Sequence, residues 1–291
     1  MLPGKGNPLF TGEFRITVVQ STSSRMKLSN ALFLLTSISA ALSLSTDFPD
    51  PAVTSENISL DIAIYADNYE EWLATKGPEY EVHFHHDKLA ETAAMVVTNS
   101  ELKYVAAVFS GTDGINDWIS DLQVKKVPFG PPEDPINEDV LVHKGFNKVL
   151  WHGDFDNLYD DMKRAMDMQL EKNPEYEIVA TGHSLGGSAA ILFAAAIATE
   201  WPDKFIYCDS IGAPRTGDAA WKEWVDGMDN LAVWRHVHRK DIVPRIPTED
   251  MFYSHPGHTV QLDDDGAAAY YLHDGDEALG YVGHPDNWNC E

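Results

Sequence analysis

The chain has 291 residues, 44% of them hydrophobic, which is enough for one large α/β domain with its own core, and no internal repeat is visible. Lys and Arg total 21 against 46 Asp and Glu, a formal net charge of -25. That acidity argues against nucleic acid and against anionic membrane as partners, while uncharged substrates, neutral lipid among them, stay compatible. The two cysteines, Cys208 and Cys290, are too few for a disulfide framework. Either they form one bridge, or Cys208, set in an apolar strand-like run, is a buried free thiol.

Residues 26–45 start with Met26-Lys27, continue through a short apolar run and end in small residues, the pattern of a secretory signal too short to span a bilayer comfortably. On this reading Met26 is the true start, residues 1–25 are an upstream extension, and cleavage near Ala41 or Ser43 releases one domain, 46–291, to the outside. Losing four basic residues and one acidic one takes the charge from -25 to -28. The mature chain then has no integral membrane segment. Asn57-Ile58-Ser59 is a glycosylation sequon on an exported chain.

Apolar residues at Ile62, Ile64, Tyr65, Tyr69 and Leu73 predict an N-terminal helix packed on a sheet. His83-Phe84-His85-His86-Asp87 reads as a solvated turn; no partner cluster at ligand spacing supports a metal, and no cofactor is implied. Glu91–Thr98 and Lys103–Phe109 are two apolar, β-branched runs joined by Asn99–Leu102, a hairpin. The second exits into Ser110-Gly111-Thr112-Asp113-Gly114, which is either an ordinary polar loop or one where Thr112 offers a backbone N–H and a hydroxyl to a developing oxyanion. Ile115, Trp118, Ile119 and Leu122 then fall on one helical stripe, either a movable lid over a site or a surface helix packed permanently. Val127–Pro135, with four prolines, is expected to be an irregular surface loop. A β run at Val140–Val142 leads into His143-Lys144-Gly145-Phe146. Phe155 to Leu170 marks a long amphipathic helix that stops near Asn173-Pro174.

Tyr176–Gly187 is the centre of the pattern: a short β run, Ile178–Ala180, breaks at Gly182-His183-Ser184-Leu185-Gly186 into an Ala-rich helix, Ser188–Thr199. This strand-turn-helix context makes G-x-S-x-G a nucleophile elbow, with the Ser184 hydroxyl held out at the sheet's carboxyl edge. Lys204–Ile211 is the next strand, Ala219–Val225 a helix and Leu231–His238 another strand, followed by Asp241. An acid leaving a strand end after the nucleophile strand fits the chain order Ser, Asp, His; a salt bridge to Arg239 or Lys240 is the structural alternative. Thr259–Leu262 reads as a strand with His255 and His258 in the turn before it, and Asp263–Gly266 as a solvated turn. His255, His258, His273 and His284 all follow Asp241, so position alone does not choose the base.

Several segments in order resemble the class 3 lipase family of the α/β-hydrolase superfamily: Val108–Thr112, Asp117–Leu122, Val142–Phe146, Gly182–Gly187, Gly212–Gly217 and Asp241–Pro247. The resemblance covers roughly residues 60 to 260. It implies an α/β-hydrolase fold with a central, mostly parallel sheet flanked by helices and a lid-like helix after the oxyanion loop. It also implies Ser184 as nucleophile, Asp241 as orienting acid, and the N–H groups of Thr112 and Leu185 as oxyanion hole. Ser110 departs from the arginine many members carry there. Gly283-His284-Pro285 is the best match to the family's C-terminal histidine, while His255–His258 resembles a non-catalytic segment, so His284 is the expected base and His258 the alternative. The implied activity is hydrolysis of carboxylic esters, acylglycerols first. A soluble-ester hydrolase of feruloyl type, or an inactive hydrolase fold used for binding, are the alternatives.

Overall fold

The computed structural model describes residues 69–86, 92–111, 125–151, 157–238, 241–262, 268–274 and 277–282. Helix α1 (Tyr69–Ala74) precedes strand β1 (Tyr80–His86), and the expected hairpin follows as β2 (Ala94–Asn99) and β3 (Tyr104–Phe109). Lys103 takes a positive φ of 57° at the hairpin tip, and the Asn99 side chain accepts the Glu101 and Leu102 N–H groups at 2.9 and 2.8 Å. A separate two-stranded ribbon, β4 (Lys126–Phe129) with β5 (Asn137–His143), leads to helices α2 (Lys144–Leu150) and α3 (Leu158–Lys172). Then come β6 (Glu177–His183), α4 (Leu185–Glu200), β7 (Ile206–Ile211), α5 (Ala219–Asp226), β8 (Leu231–His238), β9 (His258–Leu262), β10 (Ala268–Asp274) and β11 (Glu277–Val282).

Nine strands form one sheet in the order β1-β2-β3-β6-β7-β8-β9-β10-β11. β3, β6, β7, β8 and β9 are mutually parallel, with antiparallel β1 and β2 on one flank and β10 antiparallel to β9 on the other. This is the α/β-hydrolase arrangement the resemblance implies. The period-2 alternation of the strands divides the core between the two faces. Val105, Ala107, Phe109, Ile178 and Ala180 point toward α2, α3 and α4; Tyr104, Ala106, Val108 and Val179 face the other way, where Tyr69 and Trp72 of α1 pack. Helix α4 is apolar on every side because it is covered all round, with Leu185 through Ala198 buried. Every element named, save the last residue of β11, belongs to one compact unit, Asp47–Tyr281; of the second unit, Met1–Thr46 with Val282–Glu291, only Val282 is described.

Several expectations are corrected. His83–His86 lies in β1, not in a turn: Tyr80 and Val82 pack on one face of the sheet, a register shift against β2 puts Phe84 on the other, and His83 Nε2 meets Thr98 Oγ1 at 2.8 Å on β2. Val127–Phe129 is strand rather than irregular loop. Pro128 is tolerated because β4 pairs on one side only, with β5, so its missing N–H interrupts no second ladder. His143–Phe146 runs into α2, which the sequence did not announce; His143 caps it, Nδ1 accepting the Gly145 N–H at 3.1 Å. His258 begins β9 instead of preceding it. Cys208 is a buried free thiol in β7, and burial raises its pKa. The signal-like segment, the sequon, the region of 58–68, Thr112, the 115–122 stripe, Asp263–Gly266, His284 and Cys290 lie outside the described residues.

Candidate active site

The site starts from the break between β6 and α4. Ser184 has φ 55° and ψ -120°, a conformation an L side chain rarely adopts, and its N–H donates to Ile211 O at 2.8 Å across to β7. The turn closes only because two neighbours lack a side chain. A Cβ on Gly182 would stand 2.4 Å from Gly186 O, and one on Gly186 would stand 2.2 Å from Phe109 O and 2.4 Å from Ser110 O. The backbone at the end of β3 therefore presses directly on the first turn of α4. Ser184 sits at the carboxyl edge of the parallel strands, 1% exposed, and its Oγ has no hydrogen-bond partner among the described residues. Behind it, Leu185 opens a 16-residue helix whose first N–H groups have no intrahelical acceptor, so the helix end favours negative charge at this edge.

Just after β3, Ser110 is fully buried and clipped twice to Ala93, the residue before β2: its N–H donates to Ala93 O at 2.8 Å and its Oγ accepts the Ala93 N–H at 2.7 Å. The hydroxyl thus fixes the carboxyl end of β3.

Asp241 follows β8 and reaches the same edge. Its Oδ1 accepts the Val243 N–H at 2.9 Å, and its Oδ2 faces Gly212, where a Cβ would lie 3.1 Å from that oxygen and 3.7 Å from His183 Nε2. Gly212 has φ +59°, a conformation that favours glycine, and a Cβ there would crowd the Asp241 carboxylate. Asp241 therefore lies beside the residue preceding Ser184. Burial lowers the His183 pKa, with the Asp241 carboxylate opposing.

No local sequence pattern announces what braces the segment after Asp241. Arg215, buried in the loop after β7, donates from Nη1 to Arg245 O at 2.6 Å and Pro247 O at 3.1 Å, and from Nη2 to Glu249 Oε1 at 3.1 Å, while its backbone N–H donates to Ile246 O at 2.9 Å. His255 adds a contact at 2.7 Å between Nε2 and Pro244 O, which requires the proton on Nε2. Burial, with Arg235 adding to it, holds the His255 pKa well below its usual value. Within the Gly212–Gly217 segment, the arginine acts 30 to 34 residues downstream.

Of the sequence-predicted groups, Ser184 and Leu185 lie at the carboxyl edge of the parallel strands, and Asp241 lies beside His183 at that edge. His258 does not join them. β9 stands three strands from β6, roughly 14 Å at ordinary strand spacing, and His258 pairs with Trp234, midway along β8 rather than at its carboxyl end. Its ring packs on Trp234 at 5.1 Å between centroids. His273 lies on β10, one strand further out. Among the described residues no group of three or more His, Cys, Asp or Glu could hold a metal, and no helix is long and apolar enough to cross a membrane.

Comparison with known proteins agrees with this geometry. The family model "Lipase (class 3)" matches residues 106–251. The lipase of Rhizomucor miehei is 31% identical over 179 residues, 60% of this chain and 46% of the relative. The secreted mono- and diacylglycerol lipase A of Penicillium cyclopium is 26% identical over 173 residues, 59% of this chain and 52% of the relative, so the chain spans about half the length of these curated relatives. Among solved structures, one titled as a serine protease triad forming the catalytic centre of a triacylglycerol lipase superposes with a TM-score of 0.64 at 23% identity, covering 75% of this chain and 82% of that one. Because the matched stretch spans just over half of the 291 residues and contains both the elbow and Asp241, the chain belongs to the class 3 lipase family.

Proposed function

We propose that the protein is an exported serine hydrolase that cleaves acylglycerol esters through an acyl-enzyme. The observation carrying this reading is the strained, buried Ser184 at the helix end, with Asp241 at the same sheet edge. In the proposed reaction Ser184 Oγ attacks the ester carbonyl carbon while His284 takes its proton, and Asp241 orients the imidazole. The N–H groups of Thr112 and Leu185 receive the oxyanion. The C–O bond to the alcohol breaks, the alcohol leaves with the proton from His284, and water then frees the fatty acid and restores the serine. No cofactor enters. The 115–122 stripe, Ile115, Trp118, Ile119 and Leu122, is proposed as the lid.

Uncharged acylglycerol suits a chain of net charge -25 better than an anionic lipid does. The names of the matched relatives, a lipase and a secreted mono- and diacylglycerol lipase, favour the same substrate class and an extracellular location. With them stand a signal at 26–45 and a mature domain at 46–291. Labelling with a fluorophosphonate tests the assignment. Wild type and His258→Ala are expected to label, Ser184→Ala and His284→Ala to lose labelling, and hydrolysis of an emulsified acylglycerol to rise once substrate passes its solubility limit. Activity indifferent to that limit would favour a soluble-ester hydrolase; a folded wild type that neither labels nor turns over ester would overturn the reading.

A further inference from the structure

Three non-glycine residues among those described have a positive φ: Lys103 at the hairpin tip, Ser184 at the elbow, and Phe252, with φ 59° and ψ 46°. The first two have evident reasons. For an aromatic residue the left-handed conformation is strained, and here it holds the ring in solvent. Phe252 is 79% exposed and Met251 44%.

The backbone beneath these side chains is nonetheless closed. The Phe252 N–H donates to Glu249 O at 2.7 Å and the Met251 N–H to Thr248 O at 3.0 Å. From β4, Lys126 Nζ donates to the Met251 carbonyl at 3.2 Å and also to the Phe252 carbonyl, and it sits 4.4 Å from the centre of the Tyr253 ring. The tip therefore presents apolar side chains outward and keeps these polar backbone groups paired inward. A segment entering a low-dielectric medium needs both properties.

Charge selects the medium. Around the tip the exposed Glu249 is paired with Arg215 and Asp250 stands against Lys126 on the tip carbonyls, so no surplus positive charge draws the tip to an anionic surface, and the acidic chain as a whole favours an uncharged one. The tip is also tied to the site. Arg215 grips Arg245, Pro247 and Glu249 on the segment that runs from Asp241 to Phe252, and Ile242, directly after Asp241, is 60% exposed.

From this we infer that Met251 and Phe252 form a docking wedge for an uncharged lipid surface, built into the segment that carries Asp241. The inference deepens the acylglycerol reading and rests on it for the identity of the surface. Its test separates binding from turnover. The full chain with Ser184→Ala is mixed with triolein droplets coated with phosphatidylcholine, and the bound fraction is measured by flotation. Adding Met251→Ser and Phe252→Ser is expected to lower partitioning about ten-fold or more, the loss of two buried apolar side chains. In the active background, the same pair leaves fluorophosphonate labelling and turnover of a water-soluble short-chain ester unchanged.

Phe252→Trp keeps partitioning, and its emission is quenched by brominated phosphatidylcholine on the droplets beyond the quenching of the parent protein. Unchanged partitioning of the serine pair, or no added quenching in Phe252→Trp, overturns the wedge. A serine pair that converts a dimer into monomers in sedimentation, with droplet binding intact, overturns it too and assigns the tip to a second copy of this chain. If wild type turns over no ester at all, the hydrolase reading fails, and droplet partitioning still decides the wedge.

Discussion

The two halves of the site are held at the sheet edge by different forces. The serine half, β6 and α4, is set by backbone sterics: strand end, turn and helix approach so closely that Gly182 and Gly186 leave no room for a methyl group. The acid half, Asp241 to Phe252, has little regular structure beyond two short 3₁₀ turns, and side chains from elsewhere grip its carbonyls, Arg215 first and His255 second. Rigidity in one half is thus local and steric, and in the other it is long-range and polar. A substitution in the first half should act through the fold, whereas one in the second should reach the chemistry through the position of Asp241.

The largest effect is expected at Gly186→Ala. The new methyl meets two carbonyl oxygens at 2.2 and 2.4 Å, so the end of β3 and the first turn of α4 must separate. We expect a loss of about 3 kcal/mol or more, read as a fall in the urea midpoint or in soluble yield, together with loss of fluorophosphonate labelling. Arg215→Lys should come next and behave differently. A single ammonium cannot serve two carbonyls and a carboxylate in fork geometry, which points to a stability loss of about 2 kcal/mol. Steady-state kinetics on a soluble ester should show kcat reduced about ten-fold or more with KM little changed, because Asp241 is displaced while the nucleophile stays in place. Equal behaviour of the two variants would break the contrast between the halves.

That contrast also explains what the sequence could reveal. The elbow, the β2–β3 hairpin and α3 are legible because their signals are local: glycines beside a serine, alternating apolar runs around Asn99, a 3.6-residue stripe ended by Asn173-Pro174. β1 is hidden because histidines crowd it and because a register shift between Val82 and Phe84 sends its apolar side chains to opposite faces, which breaks the period-2 pattern. β4 was hidden by Pro128, which forbids a central strand but not one paired on a single side. α2 has only seven residues and a glycine inside it, and its cap is a histidine rather than one of the usual residues. Asp241 was readable from chain order, yet Arg215 was not, since no local pattern ties an arginine to carbonyls 30 and 32 residues away.

The polar half should also respond to acid. His255 has a folded-state pKa well below its ordinary value, about 6.5 in the unfolded chain, so the unfolded state takes up the proton first as pH falls. Its contribution is therefore full above about pH 6.5 and declines below that value, with a slope of at most about 1.4 kcal/mol per pH unit until the folded pKa is reached. Protonation would place a second N–H at Nδ1, which is buried without a hydrogen-bond partner among the described residues, near Arg235 and Arg215. His255→Gln, whose amide can donate to Pro244 O but does not titrate, should flatten the dependence of the urea midpoint on pH between about 6.5 and 5. A variant as acid-sensitive as wild type would remove His255 from the account.

The smallest expected effect lies on the steric side and sharpens the comparison. Ser110→Ala removes the oxygen that accepts the buried Ala93 N–H, while the Ser110 N–H and the carbonyl of Ser110 against Gly186 remain. The stability cost should be about 1 to 2 kcal/mol, the penalty of one buried donor left unpaired. Because backbone contacts already fix the elbow, the rate of Ser184 labelling should change less than it does in Arg215→Lys. A larger kinetic loss at Ser110 than at Arg215 would mean that the carboxyl end of β3, rather than the acid segment, is the more sensitive support of the site.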